Sequence, residues 1–216
     1  MSSQLISTER IDLFALNAGM GLRGGWTETE YFQKVMSTNL FGVINGIATF
    51  LPSIKANASA QNPAAIIITG SKQGITNPPG NPAYNASKAA VKSLAEGLSW
   101  ELRPTKENPE KTISVHLLVP GWTFTGLSGA KPGSVEGIPA GAWSGEQVVD
   151  YLEGKMAKGE FYVICPDNDV TEETDKKRMM WGVGDMVQGR QPLSRWREEY
   201  KSEAAEWMAE CKIGGD

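Results

Sequence analysis

The sequence predicts an α/β fold in which a parallel sheet is covered by helices, and three observations carry the prediction. Apolar runs of strand length recur at residues 11–16, 65–69, 113–119 and 161–165. Segments with helical periodicity or Gly/Pro-rich loops separate them. The runs are continuously apolar, without the polar alternation of a half-exposed strand, so each is expected to be buried on both faces.

After strand 11–16, Thr27, Glu28, Thr29 and Glu30 open a helix, because acidic residues at an N-terminus complement the macrodipole. That helix runs to about residue 54 with Phe32, Val35, Leu40, Val43, Ile47 and Leu51 on a broad apolar face. Strand 65–69 leads to a helix over 83–103, closed by Pro104, which disfavours helical geometry in the residue before it. Strand 113–119 is followed by a long Gly-, Pro- and Ser-rich loop, 120–143, of the kind that serves as a lid or binding loop. A third helix over 144–158 precedes strand 161–165, and the tail from 170 holds two more helical segments split near Pro192. In that tail the charged stretch 172–178 is a solvated helix face. Trp196, Tyr200, Ala204, Trp207, Met208 and Cys211 recur at helical spacing as a packing stripe. A chain of 216 residues suits a single domain over 1–216, with a core at 10–165 and a helical tail at 166–216.

Composition narrows the function. A formal charge of −4 with interspersed signs offers no broad attraction to nucleic acid or anionic lipid. Cys165 and Cys211 have no C-x-x-C spacing and no histidine nearby, and they read as buried free thiols. His116 lies inside strand 113–119 and reads as a packed position, so no metal site is expected. Residues 1–10 lack an apolar stretch flanked by a basic cluster, and no other segment approaches the length of a bilayer span. A cytosolic, reducing location without membrane contact is the expectation.

The chemistry concentrates in Tyr84-Asn85-Ala86-Ser87-Lys88, since a tyrosine and a lysine four apart on a helix share one face. An ammonium beside a phenol favours the phenolate, which lowers the tyrosine pKa toward a value useful for general acid/base work. Ser71, at the end of the preceding strand, offers a hydroxyl to a substrate oxygen, and strand ends are where α/β folds bind ligands.

Ser71 lies thirteen positions before Tyr84, and with the Y-x-x-x-K pair this resembles the short-chain dehydrogenases/reductases. Asn17-Ala18-Gly19 resembles the family's N-A-G turn, Asn39 its helix asparagine, and Pro120-Gly121-Trp122-Thr123-Phe124-Thr125 its P-G-x-x-x-T segment. The resemblance covers about residues 11–165 and implies a three-layer, Rossmann-like fold. It further implies Tyr84 as general acid/base and Lys88 as the group that depresses its pKa and holds the nicotinamide ribose. Ser71 would hold the substrate oxygen, and Asn39 would anchor a water in a proton relay. Asn17, Ala18 and Gly19 would line the cofactor cleft, and Pro120, Gly121, Thr123 and Thr125 would meet the nicotinamide of NAD or NADP. Singly, Asn39 could equally be a helix-packing amide, Gly19 a strand-exit turn and Thr125 a loop hydroxyl.

The family pattern also opens with a strand and a T-G-x-x-x-G-x-G turn whose amides hold the cofactor pyrophosphate. Only ten residues precede Ile11, and they carry no such turn, so a sheet of about four strands, truncated on its N-terminal side, is expected. Gly19-Met20-Gly21-Leu22-Arg23-Gly24 matches G-x-G-x-x-G formally, but its distance to Tyr84 suits the family's fourth strand and makes the match accidental. The strand 11–16 should then present an apolar edge, which invites association.

Three functions follow. The first is an oxidoreductase interconverting a small, apolar carbonyl and its alcohol with NAD or NADP, as a homodimer paired through helices 28–54 and 83–103. The second is a cofactor-independent dehydratase, isomerase or cyclase using the same residues. The third is a non-catalytic truncated homologue that binds partner chains.

Overall fold

The computed structural model describes residues 10–107, 112–128 and 137–213. Within them the order is β1 (Leu13–Leu16), α1 (Thr29–Met36), a π-helical turn (Ser37–Phe41), α2 (Gly42–Asn57), β2 (Ala64–Thr69), α3 (Lys72–Thr76) and α4 (Pro82–Glu101). There follow β3 (Ile113–Val119), a 3-10 turn (Gly126–Ser128), α5 (Gly145–Ala157), β4 (Tyr162–Ile164) and α6 (Glu172–Gln188). Two 3-10 turns (Ser194–Trp196 and Glu198–Tyr200) then lead into α7 (Lys201–Glu210).

The four strands form one parallel sheet in the order β1-β2-β3-β4, with Ala15 opposite Ile67, Ile67 opposite His116, and Leu118 opposite Val163. Alternate side chains enter two separate cores, as the two-residue period of a strand requires. Ile66, Ile68, Val115, Leu117 and Val119 pack against Val43 and Ile54 of α2 and Val91, Ala95 and Leu98 of α4. Ile67, Leu118 and Val163 face the other way, onto Val148 and Leu152 of α5. These are the three layers expected of continuously apolar strands. Strand β1 departs from that pattern, because Leu13 is 59% exposed at an edge of the sheet.

Several expectations are corrected. The helix expected over 28–54 contains the π turn, which draws Asn39 fully into the interior. With that turn the helical run Thr29–Asn57 is long and apolar enough, by length and composition, to cross a membrane, with a mean hydropathy of 1.3 over its best window. The sequence reading missed this because uncharged Ser, Thr, Asn and Gly separate the apolar residues; here the run lies along the sheet with Val43 and Ile54 in the core. Helix α3 was not foreseen. The packing stripe of the tail is not one helix, since Trp196 and Tyr200 sit in 3-10 turns and only its later part is α7. Within 172–178 the face is not wholly solvated: Asp175 is buried, with Lys72 2.7 Å from its Oδ2. Cys165 is buried as expected, whereas Cys211 is only half-buried. His116 is a buried strand residue whose Nδ1 lies 2.7 Å from the Glu160 carbonyl. Part of the loop expected at 120–143 falls at 129–136, outside the described residues.

Candidate active site

The residues singled out in the sequence gather where β1, β2 and β3 end and α4 begins. Strand β2 stops at Thr69, and the chain turns through Gly70 into Ser71, whose hydroxyl caps α3 by accepting from the Gln73 N–H at 3.2 Å. Helix α3 lies hard against α4. A Cβ on Gly74 would sit 2.6 Å from the carbonyl carbon of Lys88, so only glycine allows this approach. At the far end of α3, Asn77 takes the left-handed conformation (φ 46°), and its Oδ1 accepts from Asn85 Nδ2 at 3.2 Å.

The start of α4 is fixed by Tyr31, a residue that the sequence pattern does not single out. The Ala83 N–H, which has no partner inside the helix, donates to the Tyr31 hydroxyl at 3.2 Å. Tyr31 in turn closes on Gly24, where a Cβ would come within 2.4 Å of its ring. The glycine at 24 therefore serves ring packing. A turn from Gly25 to Glu28 stands between it and α1, so the G-x-G-x-x-G match does not open directly into a helix.

Tyr84 and Lys88 follow one turn apart, with Lys88 Nζ 5.9 Å from the centre of the Tyr84 ring. Lys88 is 5% exposed and donates to the Thr69 carbonyl at 2.8 Å, which leaves two of its three ammonium protons for other partners. Burial brings its pKa down to about 8. Burial also raises the Tyr84 phenol above its usual 10.0, while the Ser71 hydroxyl beside it pulls the other way. This reverses the expected depression of the tyrosine pKa. Desolvation of the phenolate dominates, and the Lys88 ammonium is directed to the end of β2.

Asn39 is tied by its side chain. Its Oδ1 accepts from the Met20 N–H at 2.8 Å, and its Nδ2 donates to the Met20 carbonyl at 3.0 Å and to Ser87 Oγ at 3.2 Å. Ser87 donates to the Tyr84 carbonyl at 2.8 Å, so Asn39 braces both the chain after β1 and the reactive turn of α4. Asn17 accepts from Thr69 Oγ1 at 2.9 Å, and Asn17, Ala18 and Gly19 are all exposed. A Cβ on Gly19 would lie 3.5 Å from Asn39 Oδ1 and 3.6 Å from Lys88 Nζ, which leaves an open cradle above both groups.

The Pro120–Thr125 segment continues from β3. The Pro120 carbonyl lies 3.4 Å from the Lys72 N–H next to Ser71, and Thr123 bridges to Trp143. Thr125 is exposed just before the 3-10 turn, farther along the loop than Pro120, which meets Lys72. The segment is pinned by Asp167, whose carboxylate accepts from the Trp122 N–H at 2.7 Å and pairs with Lys72. Lys72, Asp167 and Asp175 were not singled out in the sequence; only the adjacency of Lys72 to Ser71 could have flagged it. Among the described residues, no group of His, Cys, Asp and Glu is arranged to hold a metal ion.

Comparison with known proteins bears on the family and the fold. The family model described as short chain dehydrogenase matches residues 3–133. Human 17-beta-hydroxysteroid dehydrogenase type 1 is 32% identical over 101 residues, covering 46% of this chain and 30% of the relative. The 3-ketodihydrosphingosine reductase of Bacteroides thetaiotaomicron is 35% identical over 129 residues, covering 58% of this chain and 44% of the relative. The chain thus spans less than half the length of these curated relatives. A short chain dehydrogenase/reductase from Burkholderia phymatum, solved in complex with NAD, superposes with a TM-score of 0.68 at 25% identity, covering 85% of this chain and 69% of that one.

Proposed function

The chain belongs to the short-chain dehydrogenase family, and from that premise we propose that it interconverts a carbonyl and an alcohol with a nicotinamide cofactor, NAD or NADP. The observation that carries the reading is the meeting of Ser71, Tyr84 and Lys88 at the end of β2, with the cradle over Gly19 opening onto Lys88. That cradle, the spare ammonium protons of Lys88 and the exposed Asn17–Gly19 turn fit the ribose and nicotinamide end of such a cofactor. The cofactor, when bound, supplies the hydride to the carbonyl carbon. Tyr84, protonated at neutral pH because burial raises its pKa, gives its proton to the carbonyl oxygen. Ser71 orients that oxygen, and Lys88 would hold the ribose and return a proton to the Tyr84 phenolate. Asn39 serves by bracing Met20 and the Tyr84 turn.

The substrate in this reading is a small apolar ketone or alcohol, consistent with the exposed Trp122 and Leu127 beside the cleft. The relatives named for hydroxysteroid and ketodihydrosphingosine chemistry support the same class. The reading includes a cytosolic homodimer paired through the outer faces of α2 and α4, where Ile44 and Trp100 are exposed. The test is reduction of a panel of apolar ketones with NADPH and NADH. Turnover should fall by about a hundredfold or more in Tyr84→Phe; a variant as active as the parent would remove Tyr84 from the mechanism.

A further inference from the structure

Away from the cleft, α3, α6 and the turn after it border a half-open cavity of about 450 Å³, large enough for a small-molecule ligand. Ile75 and Asn77 form one wall, Met186 and Leu193 supply apolar surface, and Arg178 and Arg195 bring guanidinium groups to the lining. We infer that this cavity binds an amphiphilic anion, an apolar body bearing a carboxylate or phosphate, with the oxyanion held by Arg178 and Arg195.

The charge inventory points this way. A third lining arginine, Arg190, is already committed: its Nε donates to Asp185 at 2.9 Å and its guanidinium lies 3.9 Å over the Trp181 ring. Arg178 reaches Asp175 at 3.3 Å, but that carboxylate also holds Lys72, which pairs in turn with Asp167. Arg195 stacks 3.9 Å over Trp196 and, among the described residues, forms no ion pair. Lys72, Arg178, Arg190 and Arg195 therefore face only Asp167, Asp175 and Asp185, a local positive excess in a chain whose net charge is −4. Burial and the neighbouring Arg178 charge lower the Arg195 pKa to about 10, against the opposing pull of the Asp175 carboxylate. A planar, forked cation on an aromatic face suits a carboxylate or phosphate. The apolar demand is equally visible, since Met186 is 84% exposed at the rim.

The occupant would bear on the reaction centre through α3, because Ser71 caps that helix and Asn77 at its other end holds Asn85, the neighbour of Tyr84. Binding itself does not depend on the reaction proposed above.

The test is calorimetric titration of the purified chain, without cofactor, using decanoate and decyl phosphate below their micellar concentrations, with acetate and decanol as comparisons. At least one amphiphile should bind saturably and at least tenfold more tightly than acetate or decanol; the better of the two identifies the head group. Arg195→Gln should weaken binding at least tenfold, and Arg195→Lys by less. Met186→Glu, a change at an exposed rim position that the fold tolerates, should weaken it similarly by setting a like charge at the mouth. Absence of saturable binding by both amphiphiles, or parental affinity in Met186→Glu, would overturn the inference.

Discussion

At the residue scale the site is governed by the buried Lys88 and the half-buried Tyr84, each favoured in its neutral form. Tyr84 is held as the phenol and Lys88 is pulled down to about 8, both chiefly by loss of water. The consequence for Lys88 has a definite sign. Its folded pKa is below the usual 10.5, so below pH 8 the fold carries the cost of a buried ammonium. As pH rises from about 8 to 10.5 the unfolded chain binds more protons than the folded one, and the Lys88 contribution to stability improves. Lys88→Met removes that cost. Its stability relative to the parent should therefore be greatest near pH 7 and should decline by on the order of 3 kcal/mol as pH rises toward 10.5, measured by urea unfolding. A pH-independent difference would contradict the burial of a charged Lys88. Tyr84 and Lys88 were legible in sequence because a four-residue spacing puts them on one helix face, and Ser71 because it ends an apolar strand; their grouping rested on the resemblance to the family's serine thirteen positions upstream. The direction of the Tyr84 shift was not, because it depends on desolvation by residues distant in sequence.

At the element scale, the strands were legible because a sheet buried on both faces needs uninterrupted apolar runs. Their ends shifted by a residue or two, as with β1, which begins at Leu13 and not at Ile11. Helix α3 escaped notice because five residues present too little periodicity, and it is held by the Ser71 cap and the Gly74 approach to Lys88. The π turn was equally silent, since Asn39 is drawn inward by Met20 and Ser87, which come from other elements. Gly74→Ala should force α3 away from α4, costing about 2 kcal/mol by overpacking and carrying Ser71 out of register. Unfolding and ketone turnover would both report it; full activity would mean that the α3–α4 contact is not needed to align Ser71.

For the whole molecule, an ion network centred on the buried Asp175 joins the catalytic side of the sheet to the C-terminal tail. Lys72 follows Ser71, Asp167 follows β4, and Asp175 lies on α6; together they tie three regions of the chain at one point. The sequence shows each residue only as one charge among many, and Asp175 in particular sits within a run that looks wholly solvated. Removing one partner of a buried pair leaves the others uncompensated, so Asp175→Asn should destabilise the fold by about 3 kcal/mol in urea unfolding. A loss within experimental scatter would mean that Lys72 and Arg178 find other partners. The tail beyond this point is knit by Asp185, which accepts from the Ser194 N–H at 3.0 Å, and by Trp181, which donates to Ser194 Oγ at 2.7 Å.

The most direct measurement is titration of the purified chain with NADPH and NADH, following quenching of tryptophan fluorescence and energy transfer to the nicotinamide. The account predicts saturable binding that weakens when the Gly19 cradle is filled in Gly19→Val. No saturation at millimolar concentrations of either cofactor would contradict the assignment of nicotinamide-dependent carbonyl chemistry to this chain.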